Sequence, residues 1–168
     1  PTAGACGVLP AVLVPYVKKY EPEEEKVLDA LYTAAGIGQV IAARAYIAGA
    51  SGGCQAEIGT ASAMAAGALV ALHGGSEKAI IHAAAMAIKN LLGDPVAGLV
   101  EVPCVKRNVV GAMNALSSAD MALAGIESRI PPDQVIDAMK EVGDQMNSSL
   151  KETGLGGLAG TPFGKEVA

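Results

Sequence analysis

Apolar residues recur at the 3.6-residue spacing of an amphipathic α-helix along most of the chain, and Gly or Pro interrupts that spacing at intervals. Ser76 is suited to cap one helix, and Pro131-Pro132 is suited to open the last one. The pattern predicts helices at 8–20, from 22 into the forties, and at 57–73, 77–92, 105–124 and 132 onward.

The same spacing predicts which side chains face the core. On the second, fifth and sixth helices these positions are Val27, Leu28, Leu31, Ala34 and Ala35; Met113, Leu116, Met121 and Leu123; and Val135, Ile136, Met139 and Val142. The segment 93–104 contains two Pro and two Gly, which favours a loop.

The predicted fold is all-α, a single helical domain of about six helices joined by Gly-rich loops. We expect one domain over 1–168 that is a fragment, with its N-terminal part missing, because the chain begins at Pro1. The hydrophobic fraction is 51%, but it is largely Ala, with one Phe and no Trp. Such small side chains predict closely packed helices.

Composition narrows the possible partners. The net charge of -5, without a cluster of Lys and Arg, argues against nucleic acid. The longest apolar runs are shorter than the ~20 residues that cross a bilayer, so no membrane span is expected. Three widely separated cysteines do not form a secreted disulfide pattern, which favours a reducing cytoplasm.

Cys6, Cys54 and Cys104 each lie beside Gly or Pro or near them, 48 and 50 residues apart. This spacing is unlike a zinc ribbon or a ferredoxin, and burial as a small apolar residue is the commonest role of a free cysteine. Cys54 and Cys104 stand at predicted helix boundaries, however, where backbone amides can face a sulfur cluster. Spacing alone therefore leaves both roles open.

Other polar residues are less informative. His73 stands at a helix end, where a cation interacts favourably with the helix dipole, and His82 is either a satisfied core histidine or a general base. Arg107 could hold a substrate carboxylate or could be a solvated residue of a first helical turn. The acidic residues 21–25 predict a solvated face.

Over essentially its whole length the chain resembles the α-subunit of the iron-sulfur-dependent L-serine dehydratases. The blocks that carry the resemblance occur in the family's order. They are PTAGACG, IAGASGGCQAEIGTASAMAAGAL, DPVAGLVEVPCVKRN, ADMALAGIESRIPPDQVIDAM and ETGLGGLAGTP.

The resemblance implies a helical domain that holds a 4Fe-4S cluster by three cysteines and leaves one iron open to substrate. That iron would polarise the hydroxyl of L-serine, a base would remove the α-proton, and the product would hydrolyse to pyruvate and ammonia. It also implies a β-subunit or β-domain, an oligomeric enzyme, and a fragment that is inactive alone.

By position, the resemblance makes Cys54 and Cys104 metal ligands. Thr2, Gly4 and Asn108 match positions expected near the substrate, while Gln55 and Glu57 would shape the first cysteine loop. Cys6 would lie near the site without being a ligand. The resemblance assigns no general base.

The chain departs from the family at one place. The family has a third cysteine just before DPVAG, whereas here Gly93 is followed directly by Asp94, so about three residues including that cysteine are missing. Either the deletion is real, or the sequence as given omits these residues. The intact pattern on both sides favours omission.

Two rival interpretations follow. The first is a catalytically inactive helical assembly module that has lost its cluster together with the deleted residues. The second is a zinc-binding helical protein, in which thiolates and His82 would form a tetrahedral site.

Overall fold

The computed structural model describes residues 1–92, 101–151, 153, 155–156 and 160–166, without the side chains of 92, 101–106 and 164. Every regular element in these ranges is helical, which confirms the all-α prediction. A 3-10 helix, Ala3–Gly7, comes first, and another, Ser148–Leu150, follows α7. The α-helices are α1 Val8–Tyr20, α2 Glu24–Arg44, α3 Gly49–Gly52, α4 Cys54–Leu72, α5 Glu77–Leu92, α6 Glu101–Leu123, α7 Pro132–Gln145 and α8 Pro162–Glu166.

Helix α4 lies at the centre of the fold and contacts α1, α2, α5 and α6. All of its residues except Met64 and Ala71 are buried. Its small side chains let neighbouring helices approach closely. A methyl group added at Gly67 would lie 2.2 Å from Cδ1 of Ile37 on α2. A narrow helix of Ala and Gly therefore forms the axis around which the others pack.

Several helix ends lie where their capping residues predict. The N–H of Ala79 donates to Ser76 Oγ at 3.2 Å, so Ser76 caps α5 as expected. Gly74 has a φ of 70°, a left-handed conformation that follows the end of α4. Helix α7 has Pro132 at its first position, which suits the fixed φ of proline.

The predicted buried faces of α2 and α6 were wrong in part. Leu28, Leu31 and Met113 are 46%, 43% and 61% exposed, and Leu123 is also exposed. On α2 and α6 the interior is filled mainly by small residues instead. These are Ala30, Ala34, Ala115, Ala119 and Ala122.

Two segments outside the predicted helices are helical. Residues 101–104, expected in a loop, form the start of α6, and Gly49–Gly52 forms the short helix α3. Gly93 and Asp94, where the resemblance predicts a third cysteine, lie outside the described residues. Among the helices that the structure describes, we find none with the length and apolarity needed to span a membrane.

Candidate functional site

Segments distant in sequence meet at the N-terminal end of α4, around the carboxylate of Glu57. This carboxylate is 6% exposed. Its Oε2 accepts a hydrogen bond from Thr2 Oγ1 at 3.0 Å and another from the Gly49 backbone N–H at 2.9 Å. Glu57 lies in the first turn of α4, where the helix dipole stabilises a negative charge. It therefore joins the opening segment of the chain to the segment before Cys54.

Asn108 reaches the same region from α6. A methyl group added at Gly4 would lie 2.9 Å from Asn108 Nδ2, so the Asn108 amide lies directly against Gly4 and a larger residue there would displace it. Helix α6 is held against α4 by a hydrogen bond, in which Ser62 Oγ on α4 donates to the Gly111 carbonyl on α6 at 2.5 Å. The three predicted substrate residues, Thr2, Gly4 and Asn108, thus lie around one end of α4 and α6.

Cys54 is the first residue of α4 and is 8% exposed. The preceding Gly53 has φ 82° and ψ 164°, a conformation that residues with a side chain rarely adopt. The N-cap residue of α4 is Gly53, which has no side chain to cap the helix. The first-turn N–H groups and the dipole favour an anionic thiolate at Cys54.

Gln55 helps to hold the backbone that leads to Cys54. Its Nε2 donates to the Gly52 carbonyl at 2.7 Å. Its Oε1 is buried and meets no hydrogen-bond donor among the described residues. Gln55 therefore shapes the segment before Cys54 and also offers a polar acceptor at this end of α4.

Of the other two cysteines, the structure describes the side chain of Cys6 alone. Cys6 is exposed, and its Sγ donates to the Pro1 carbonyl at 3.2 Å. Cys104 lies in the first turn of α6, but its side chain is outside the description. Within the described part of the chain, no three His, Cys, Asp or Glu side chains are grouped closely enough to hold a metal ion.

The two histidines have structural contacts. His82 Nδ1 accepts the Ser128 N–H at 2.9 Å, and Nε2 lies 3.7 Å from Glu127, which fits the satisfied histidine that the sequence allowed. His73 follows the end of α4, and its Nδ1 lies 2.8 Å from the Leu69 carbonyl oxygen. Arg107 is half-buried, one residue before Asn108 on α6.

A polar group on α7 was not anticipated from the sequence. Tyr46 donates its hydroxyl proton to Asp144 at 2.5 Å, and Lys140 pairs with the same carboxylate. The hydrogen bonds from Lys140 and then Tyr46 lower the pKa of Asp144, and the bond to Asp144 raises the pKa of Tyr46. The one signal in the sequence was Gly143, a helix-disfavouring residue inside a predicted helix.

Comparisons with known proteins identify the family. The serine dehydratase alpha chain family matches residues 1–159. A Bacillus subtilis protein named probable L-serine dehydratase, alpha chain, is 55% identical over 99% of this chain and 57% of its own length. A protein of the same name from Latilactobacillus sakei is 56% identical over 98% of this chain and 80% of its own. The L-serine dehydratase TdcG of Escherichia coli is 44% identical over 95% of this chain and 36% of its own.

The chain thus spans 57% of the Bacillus subtilis relative and 36% of the Escherichia coli one. The first alignment runs over 170 positions, whereas this chain has 168 residues, so that relative contains residues without a counterpart here. The family match nevertheless covers nearly every residue, including all three cysteines. The chain therefore belongs to the serine dehydratase alpha chain family.

Proposed function

We propose that this chain is part of an L-serine dehydratase, a lyase that converts L-serine to pyruvate and ammonia. The observation that carries the proposal is the meeting of Thr2, Gly49 and Glu57 beside Cys54, with Asn108 next to Gly4. Three relatives bear the name L-serine dehydratase or its alpha chain. Because the chain spans only part of those proteins, we further propose that a β-chain or β-domain completes an oligomeric, cytoplasmic enzyme.

The donor groups at this end of α4 suit an iron-sulfur cluster. Cys54 supplies a thiol at a helix N-terminus, where backbone N–H groups and the helix dipole suit an anionic cluster. We propose Cys54 and Cys104 as ligands, with the third provided by the residues missing between Gly93 and Asp94. When bound, the cluster supplies a Lewis-acidic iron for the serine hydroxyl.

The polar residues of this site would bind different groups of the amino acid substrate. Thr2 donates its only hydroxyl proton to Glu57, so its oxygen can accept a further hydrogen bond, as from the substrate ammonium. Asn108 offers amide protons beside Gly4, which suit the substrate carboxylate. Together they would orient L-serine with respect to Cys54.

Anaerobic reconstitution of the chain with ferrous iron and sulfide tests the cluster proposal. We expect bound iron and visible absorbance in the wild type, and a loss of both in Cys54→Ala and in Cys104→Ala. Cys6→Ala is the matched control, because Cys6 is exposed and bonded to Pro1, and it should bind iron like the wild type. Equal iron in wild type and Cys54→Ala would exclude the proposed ligand set.

Substrate binding is tested in the enzyme assembled with its β-chain. We expect Asn108→Ala to lower kcat/KM for L-serine about 10- to 100-fold, the effect of losing one hydrogen bond to a charged group. Asn114→Ala is the control on the same helix, because Asn114 bonds Asn90 and the Ala87 carbonyl. Equal kcat/KM values in the two variants would remove Asn108 from the substrate site.

The inactive assembly module remains the alternative, and the missing residues before Asp94 favour it. Peptide mass mapping across Gly93 and Asp94 separates the two. Additional residues that include a cysteine would support the dehydratase. A direct Gly93-Asp94 bond would favour the assembly module, and metal analysis of the purified protein would identify zinc if the thiols bind it.

A further inference from the structure

We infer that Tyr46 and the C-terminal end of α7 position the backbone that presents Cys54. We call Tyr46, Gly143, Asp144 and Met146 the α7 clamp. Gly143 and Asp144 belong to the last turn of α7, and Met146 follows it. The clamp makes Tyr46, Gly143 and Asp144 positioning residues, which act through Gly52 and Gly53. The inference rests on the proposed function only in taking Cys54 as a ligand.

The first contact of the clamp is between backbones. A methyl group added at Gly143 would lie 3.0 Å from the Gly52 Cα and 3.2 Å from the Gly52 carbonyl oxygen. The same methyl would lie 3.0 Å from Cδ2 of the Tyr46 ring. These distances are shorter than ordinary van der Waals contacts, and backbone atoms move aside less easily than a flexible side chain, so a side chain at 143 would push α7 away from Gly52.

The second contact is the ring of Tyr46. A methyl group at Gly52 would lie 2.6 Å from Tyr46 Cβ and 2.9 Å from its Cδ2, so the ring is packed directly on Gly52. The Tyr46 hydroxyl donates to Asp144 on α7 at 2.5 Å. The ring is therefore fixed at one end by α7 while its other end limits where Gly52 can lie.

The third contact covers Gly53. A methyl group there would lie 2.6 Å from Met146 Sδ and 2.6 Å from Gln55 Oε1. Gly53 is the residue with φ 82° that sets the direction from which the chain enters α4 at Cys54. Met146 and Gln55 enclose it from two sides, which restricts the Gly53 backbone to this conformation.

These contacts, which are all within the chain, hold the backbone at Gly52 and Gly53 in one arrangement. Holding a ligand residue in place beforehand reduces the ordering that binding must otherwise impose. The clamp therefore holds Cys54 in a fixed, largely buried position, although α7 itself contains none of the proposed ligand residues.

Alkylation of Cys54 in the protein without iron tests the clamp. The rate is measured for each cysteine by peptide mass mapping, with exposed Cys6 as the internal reference. We expect Gly143→Ala to raise the rate at Cys54 about fivefold or more, and Tyr46→Phe and Asp144→Ala to raise it about two- to fivefold, as weakening of local contacts predicts. The ratio of Cys54 to Cys6 labelling should change in the same way.

Two variants separate the clamp from general loosening of α7. Asp144→Asn keeps an oxygen that can accept the Tyr46 proton. Lys140→Ala removes the ion pair with Asp144 and the cation-π contact with the Tyr46 ring, but it leaves the Tyr46–Asp144 hydrogen bond and the Gly143 contacts in place. Both should label like the wild type. A rise in Lys140→Ala equal to that in Asp144→Ala would overturn the inference.

Wild-type labelling rates in Tyr46→Phe and Asp144→Ala would also overturn it, and these two mild variants decide the question if Gly143→Ala does not fold. No iron is present in this experiment. Failure of the clamp is therefore distinguishable from failure of the proposed cluster, which the iron content of Cys54→Ala tests separately.

Discussion

The carboxylate of Glu57 on α4 forms hydrogen bonds with two other segments of the site, the start of the chain at Thr2 and the short helix α3 at Gly49. Both of its hydrogen bonds, from Thr2 and from the Gly49 N–H, reach the same oxygen, Oε2. A buried carboxylate is costly unless its charge is stabilised. Here two donors and the N-terminal turn of α4 provide that stabilisation. The effect of replacing Glu57 on stability should therefore depend on whether the new side chain can still accept these two hydrogen bonds.

We predict different effects for two substitutions of Glu57. Glu57→Gln keeps an oxygen for both donors and should lower the free energy of unfolding by about 0.3–1 kcal/mol, the loss of charge near a helix N-terminus. Glu57→Ala leaves the buried Gly49 N–H without its acceptor and should cost about 1–3 kcal/mol. Denaturant unfolding measures both values.

Thr2→Val is the control for Glu57, because it removes one donor at an exposed residue and leaves the carboxylate and the Gly49 bond in place. It should cost less than Glu57→Ala. If Glu57→Ala unfolded at the same denaturant concentration as the wild type, the carboxylate would not be joining these segments.

At the level of single elements, capping residues predicted the helix ends better than spacing predicted the buried faces. Ser76 and Pro132 begin helices where the sequence indicates, because their effects are local. Leu28 and Met113 are exposed although they follow helical spacing. Both α2 and α6 carry apolar residues on more than one face. Because these helices approach α4 closely, the face with small side chains is the one that is buried.

Helix α6 is held against α4 at Gly111, and this contact provides a prediction. A methyl group there would lie 2.9 Å from Ile58 Cγ2 and 3.3 Å from Ser62 Oγ. We expect Gly111→Ala to lower the free energy of unfolding by about 1–3 kcal/mol through overpacking. Since Asn108 precedes it by one turn of α6, the assembled enzyme should also show a higher KM for L-serine.

Gly36→Ala is the matched control for Gly111. Gly36 lies inside α2, and a methyl group there would contact nothing within 4 Å. Alanine should therefore stabilise the helix by up to about 1 kcal/mol. A similar gain in Gly111→Ala, measured by thermal or denaturant unfolding, would show that α6 is not in close contact with α4 at this point.

At the scale of the whole molecule, the sequence could indicate site residues only where a motif marked them. Thr2, Gly4 and Asn108 were each expected near the substrate, and in the structure they lie at one end of α4 and α6. The pairing of Tyr46 with Asp144 could not be predicted, because 98 residues separate them and neither stands in a distinctive pattern. Such contacts depend on the angle at which α7 packs.

Two exposed carboxylates, Glu127 and Asp144, should make the stability of the fold depend on pH. Lys78 on α5 bonds Glu127, which follows α6, at 2.6 Å and lowers the pKa of that carboxyl. The hydrogen bonds from Lys140 and Tyr46 lower the pKa of Asp144 in the same way. A carboxyl with a lowered pKa in the folded protein contributes stability above its ordinary pKa, and that contribution is lost as pH falls through the lowered value.

We therefore predict that the folded state loses stability as the pH is lowered from about 4, the ordinary carboxyl range, towards the lowered pKa values of Glu127 and Asp144. The double variant Glu127→Gln/Asp144→Asn lacks both titrations, so its unfolding midpoint should fall less steeply over this range. Denaturant unfolding at pH 7, 4 and 3 measures the difference. The effect should be modest, because both pairs are exposed and screened by solvent. Parallel pH profiles for the double variant and the wild type would mean that other carboxyl groups determine acid stability.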